Sequence, residues 1–223
     1  MIETGVLFDD IHSFRDLNLV LGPFVLPPAK PKTNFIDVPG RDGSIDATEA
    51  TGEVKYNDRE FSFTFTVFPQ DELSFEERQT VVSNALNGKR CKITIEKDPD
   101  YYLEGRCFVN EHFANKKLRQ IVVSVRVAPY KLKHNETVES FELSKYDEKT
   151  IILTNGKKRV VPSILVSTNH IYISFEGYTR FFAPNSQEYE DLNIRLKEGA
   201  NVLTLSTTNG AGEVKFTYRE GDL

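Results

Sequence analysis

Cysteine, basic charge and long apolar runs are all scarce in this sequence, and each shortage removes a class of function. Only two cysteines occur in 223 residues, Cys91 and Cys107. Their spacing matches neither a zinc-ligand pattern nor a CxxC redox motif, which argues against a metal-built or disulfide-built fold. The four histidines, His12, His112, His134 and His170, are scattered, none within ligand spacing of another histidine or a cysteine. Lys and Arg total 28 against 33 Asp and Glu, a net charge of −5. A protein that grips duplex DNA through its phosphates usually carries the opposite balance. A local basic triplet such as Lys157-Lys158-Arg159 reads as a solvated turn. No apolar run is long enough to span a bilayer, and Met1-Ile2-Glu3-Thr4 opens no signal peptide. The expectation is a chain that folds in a cytoplasm, without membrane insertion.

Catalytic signatures are missing too. There is no Gly-x-Ser-x-Gly elbow, no phosphate-binding glycine loop and no dinucleotide fingerprint. Asp9, Asp10 and His12 lie close together, but a polar turn leaving a strand explains them better than an acid–base or metal cluster. Asp42, Ser44, Asp46 and Glu53 occupy positions one, three, five and twelve of an EF-hand-like loop. The sixth position should be glycine and is Ala47, so chance spacing in a polar loop is the better reading. With 33 acids, no carboxylate pair stands out for glycoside hydrolysis. The sequence predicts no enzyme and no cofactor.

What is present is a β pattern rich in aromatics, with 16 Phe and 9 Tyr. Val6-Leu7-Phe8 is a short strand, and Leu17, Leu19 and Leu21 alternate as a second. Phe61, Phe63, Phe65 and Val67 alternate with Ser62, Thr64 and Thr66, the period-two pattern of a half-buried strand ending at Pro69. Ser74 with Glu77 forms a capping box, and Phe75, Val82, Ala85 and Leu86 give an apolar stripe up to Asn87-Gly88. This predicts one short helix. Cys91 to Ile95, Tyr101 to Val109 and Ile121 to Val127 complete the set. A hairpin centred on Pro99 would set Cys91 opposite Cys107, as two reduced thiols on the core face.

A polar stretch from Lys131 to Glu142 marks a boundary between two domains, 1–130 and 131–223. Beyond it the chain reads as β throughout. Segments run Ile151 to Leu153 (into an Asn155-Gly156 hairpin signal), Val160 to Val166, Ile171 to Phe175, Arg180 to Phe182, Ile194 to Leu196, Val202 to Leu205 and Val214 to Tyr218. Gly177, Pro184-Asn185, Gly199 and Asn209-Gly210 separate them, and the set predicts a small β-sandwich. Tyr172, Phe175, Tyr178, Phe181 and Phe182 are core candidates that could also form a sugar-stacking platform.

Residues 26 to 46 break the pattern. Pro27, Pro28 and Pro31 stiffen an extended segment, and Pro39-Gly40-Arg41-Asp42-Gly43 makes a turn-rich tip before Asp46. Such a stretch cannot sit inside a sheet and reads as an arm that docks on a neighbour.

Taken together, Phe8-Asp9-Asp10, His12-Ser13, Leu17-Asn18-Leu19, the proline-rich extension, Val38-Pro39-Gly40-Arg41-Asp42-Gly43-Ser44-Ile45-Asp46, and Tyr56 with Arg59 before the Phe61 strand resemble the distal tail family of siphoviruses and related prophages. The resemblance covers residues 3 to 130, and the Pro-Gly-Arg-Asp-Gly-x-x-Asp stretch is its most specific part. Asn155-Gly156, Gly199 to Leu203 and the closing Tyr218 to Leu223 are similar to that family's galectin-like β-sandwich. The resemblance implies a mainly β protein. Its N-terminal β-sandwich-like ring domain would carry one short helix and an extended arm, with a galectin-like β-sandwich behind it. It further implies a homo-hexameric ring at the virion tail tip, joining the tail tube protein to the tail-associated hub protein. Receptor-binding proteins would sit at the baseplate periphery, and DNA would only pass through. The interface residues expected on the arm are Pro27, Pro28, Pro31, Pro39, Gly40, Arg41, Asp42, Gly43 and Asp46. The competing classes are a carbohydrate-binding module for host attachment through the C-terminal domain, and a cell-wall hydrolase.

Overall fold

The computed structural model describes residues 5–67, 73–115, 119–185, 187–208 and 210–223. The expected strand end at Pro69 and the Asn209 half of the Asn209-Gly210 turn lie outside them, as does the His112 side chain. The chain divides into two compact units, 1–131 and 132–223.

The first unit contains β1 (Val6–Phe8), β2 (Ile11–His12), β3 (Leu19–Leu21), β4 (Phe35–Ile36), β5 (Ile45–Asp46), β6 (Arg59–Val67), α1 (Phe75–Leu86), β7 (Arg90–Ile95), β8 (Tyr101–Asn115) and β9 (Gln120–Val127). One antiparallel path runs β2-β1-β7-β8-β9-β6-β3. Period-two alternation sends Phe8, Phe63, Phe65, Ile93, Cys107, Ile121 and Val123 to one side of it, and all are buried in a single cluster. A sheet that gathers one face into one core has to curl, and α1 adds Phe75, Val82 and Leu86 to the same cluster. Each such large side chain contributes about 1.5–3 kcal/mol through burial. Helix α1 starts where the capping box places it: the Glu77 N–H donates to Ser74 Oγ at 3.2 Å, and the Ser74 N–H donates to Glu77 Oε2 at 2.9 Å. It stops before Gly88, whose φ of 75° suits a residue without Cβ.

The two thiols are buried and free, with their sulfurs 3.3 Å apart. The register between β7 and β8 differs from the expected one. Cys91 faces Gly105, so Cys107 is its diagonal neighbour on the same face. The connection is centred on Asp98, whose N–H donates to the Ile95 carbonyl at 2.8 Å. Pro99 has no N–H to close the turn.

The second unit holds the end of a short β10 (Lys131–Lys133), then β11 (Thr137–Leu143), β12 (Glu148–Asn155), β13 (Ser163–Thr168), β14 (Ile171–Phe175), β15 (Tyr178–Phe182), β16 (Tyr189–Glu190), β17 (Gly199–Ser206), β18 (Gly212–Tyr218) and β19 (Gly221–Asp222). Two four-stranded antiparallel sheets form, β11-β18-β13-β16 and β12-β17-β14-β15. Val214, Phe216, Ile164 and Val166 of one sheet share a core with Leu153, Leu203, Leu205, Ile171 and Ile173 of the other, which makes a β-sandwich. The polar stretch before Leu143 contains a strand, β11, which the sequence reading missed. Asn155-Gly156 is no hairpin turn: β12 and β13 belong to different sheets, and the chain crosses between them there. Gly156 serves close packing instead, because a Cβ would stand 2.7 Å from the Gly221 carbonyl oxygen. Ile194 and Leu196 are buried, but only Leu196 bridges, to Val160.

Candidate functional site

The proline-rich segment leaves the first unit as an out-and-back ribbon rather than a single extended arm. At its base the Lys32 N–H donates to the Lys55 carbonyl at 2.7 Å, and the Asn57 N–H donates to the Lys30 carbonyl at 2.8 Å. Pro31 bridges Tyr56, and the Tyr56 ring meets Tyr130 edge-on at 5.9 Å. Farther out, β4 and β5 pair Phe35 with Asp46 and Ile36 with Ile45. The tip is a tight turn in which the Arg41 N–H donates to the Val38 carbonyl at 3.1 Å. Pro39 takes its second position and Gly40, with φ of 81°, its third, the residue pair a type II turn requires.

Arg59, at the start of β6, pins the root of this ribbon. Its buried guanidinium donates through Nε to the Pro129 carbonyl at 2.8 Å, through a second nitrogen to the same oxygen, and toward the Pro27 carbonyl at 3.4 Å. Burial pushes the guanidinium pKa down. An arginine stays charged all the same, so the carbonyl bonds are what offset its desolvation.

The distribution of the expected interface residues is uneven. Pro27 is half-buried at the root and Pro28 is exposed. Pro31, Pro39, Gly40, Arg41, Asp42, Gly43 and Asp46 fall in residues 31–46, every one of which is exposed. Asp46 accepts from the Thr48 side chain and from its N–H at 2.9 Å, which hold its carboxyl below the usual range. Ser44 donates to Asp37 at 2.6 Å, and Glu53 pairs with Lys55. The EF-hand-like side chains therefore do not converge. Among the described residues no group of three His, Cys, Asp or Glu could hold a metal ion.

The sequence reading passed over the apolar side chains of the ribbon. Phe35 is 59% exposed, Ile36 47%, Val38 39% and Ile45 39%. A two-stranded ribbon has no second layer in which to bury them, and clustered exposed apolar groups of this kind mark contact surfaces. Their signal in the sequence was four large apolar residues inside a segment otherwise read as a polar, proline-stiffened arm.

His12, near the expected turn, is structural. Its Nε2 meets Glu96 Oε1 at 2.9 Å, and its Nδ1 accepts the N–H groups of Phe14 and Arg15 at 3.1 Å. In the second unit Phe175 and Phe182 belong to the core, and Tyr178 is half-buried against it. Only Phe181, 47% exposed, stands out as a platform, with His170 stacked on it at 4.8 Å and Tyr172 at 5.2 Å.

The family model described as phage tail protein RIFT-related domain matches residues 13–144. Among solved structures, the crystal structure of SPP1 Dit, described as a paradigm of the hub adsorption apparatus in phages infecting Gram-positive bacteria, shares the fold. Its TM-score is 0.65 at 12% identity, covering 97% of this chain and 98% of that one. The phage P2 baseplate in its activated conformation with Ca gives a TM-score of 0.41 at 8% identity, over 98% of both chains. No curated protein matches by sequence.

Proposed function

The chain belongs to the phage tail protein family with a RIFT-related domain, and from that premise we propose that it forms a homo-hexameric ring at the tail tip. In this reading the first unit builds the ring wall. The second unit, a galectin-like sandwich, stands at the periphery, where receptor-binding proteins attach. The ring joins the tail tube protein on one side to the hub protein on the other, and its lumen lets DNA pass. A net charge of −5 suits a channel that must not retain a polyanion. Synthesis and assembly take place in the bacterial host cytoplasm.

The observation that carries this reading is the ribbon. Residues 31–46 are all exposed, and among the described residues nothing covers Phe35, Ile36, Val38 and Ile45. A subunit that lends such an element to the next one makes a heterologous contact, and heterologous contacts form a ring when their rotation closes. Pro27, Pro28, Pro31 and Pro39 restrict the free ribbon and so lower the ordering cost of docking. The Gly40-Arg41-Asp42-Gly43 tip, with Asp46 beside it, supplies the polar contacts that set register. The test is to replace residues 31–56 by a short Gly-Ser linker. Lys30 and Asn57 are already bonded, so the linker closes without strain. The shortened protein is expected to remain folded and monomeric, and rings that persist without the ribbon would refute its role.

A further inference from the structure

The outward face of the first-unit sheet sets three arginines side by side across neighbouring strands. Arg90 lies directly opposite Arg106 across β7 and β8, and Arg106 lies directly opposite Arg126 across β8 and β9. Like charges set face to face on adjacent strands repel. The outer members are partly neutralised: Arg90 Nε is 3.0 Å from Glu104, and Arg126 Nε is 3.0 Å from Asp58 and 3.6 Å from Glu60. Arg106, in the middle, is exposed, and its guanidinium donates to the Gly88 carbonyl. Among the described residues it has no carboxylate. Phe108, two residues farther along the same strand and on the same face, is 41% exposed.

The ribbon has the matching chemistry. Between residues 35 and 49 it carries Asp37, Asp42, Asp46 and Glu49 against the single base Arg41. These acids alternate with the exposed Phe35, Ile36, Val38 and Ile45. We infer that the arginine row with Phe108 is the seat on which the ribbon of a second copy of this chain docks, a ribbon carboxylate completing Arg106. The inference rests on the ribbon acting as the inter-subunit clasp, and it names the surface that the clasp grips. Donor and acceptor are different surfaces of one unit, so the contact is head-to-tail. A carboxylate placed among three guanidiniums gains charge-assisted bonds and relieves their repulsion, while Phe108 gives the apolar ribbon residues a partner.

The experiment uses full-length protein and follows assembly against concentration by mass photometry, with thermal melting as a check on folding. Arg106→Glu is expected to shift assembly to about tenfold higher concentration with little change in melting. Adding Asp37→Lys and Asp42→Lys to the same chain is expected to restore assembly by reversing both signs. If Arg106→Glu does not fold, Arg106→Gln keeps a donor for Gly88 and is expected to weaken assembly without loss of melting temperature. Assembly indifferent to Arg106→Glu or to Arg106→Gln, in a protein whose ribbon replacement gives monomers, would overturn the seat and leave the clasp standing. Failure of the reversed charges to restore assembly would overturn it as well. Rings that survive the ribbon replacement would remove both.

Discussion

Asp191 shows how one buried side chain holds a loop of the second unit. It is 3% exposed, and it accepts from Arg180 at 2.7 Å, from the Tyr178 hydroxyl at 3.0 Å, and from the Asn193 N–H and side-chain amide at 3.0 Å each. Burial pushes its carboxyl up, but the Arg180, Asn193 and Tyr178 bonds together outweigh that and hold it below the usual aspartate range. A carboxyl lowered by folding stabilises the native state above its unfolded value, and that contribution is lost as pH falls through the native value. The second unit is therefore expected to lose stability as pH falls below the usual aspartate range. Asp191→Asn should flatten that part of the profile while costing about 1–3 kcal/mol at neutral pH. A melting temperature with the same acid dependence in both proteins would contradict this. The thiols give a second residue-scale expectation. Cys107 is fully buried and Cys91 nearly so, and the hydrogen bond to Cys91 together with burial pushes the Cys107 thiol up. Ellman's reagent should label neither in the native protein and both after unfolding, and rapid native labelling would oppose it. That the two thiols share a face could be read from alternation. Their diagonal offset could not, because it depends on which amide closes the turn at Asp98. Asp191 could not be read at all, since its partners are spread along residues 178–193 and meet only in the folded loop.

Among the elements, local chemistry decided what could be read. Helix α1 was legible to the residue because its cap is local: Ser74 and Glu77 hold each other three residues apart. Ser74→Ala is expected to cost about 1 kcal/mol of first-unit stability, measured as a lower denaturation midpoint at unchanged slope, and an unchanged midpoint would show that the cap contributes nothing. Strand β6 was legible because Phe63, Phe65 and Val67 alternate cleanly with polar residues. Strand β11 escaped notice because Glu139 occupies a half-buried position level with Phe216, which breaks the apolar alternation. The ribbon was recognised as a departure from the sheet, but not as a hairpin. Its pairing joins Lys30 to Asn57 and Phe35 to Asp46, partners too far apart for a turn motif to announce. Arg59 stood out in the sequence, yet its task of fastening Pro27 and Pro129 becomes visible only when the two carbonyls are brought to it.

At the scale of the whole molecule, each unit closes its own core, yet the first leaves two features unfinished. One is a ribbon that exposes apolar side chains beside acids, and the other is an arginine row whose central member, Arg106, has no carboxylate among the described residues. A chain built to act alone would bury the one and disperse the other. Both are accounted for if identical subunits meet head-to-tail. The most direct measurement is the mass in solution of the full-length protein beside the form with residues 31–56 replaced, with negative-stain imaging of each. The expected result is six times the chain mass and a ring with a central hole for the full-length protein, and a folded single chain for the shortened form. Full-length protein that stays a single chain at assembly concentrations, or a shortened form that still makes rings, would contradict the account.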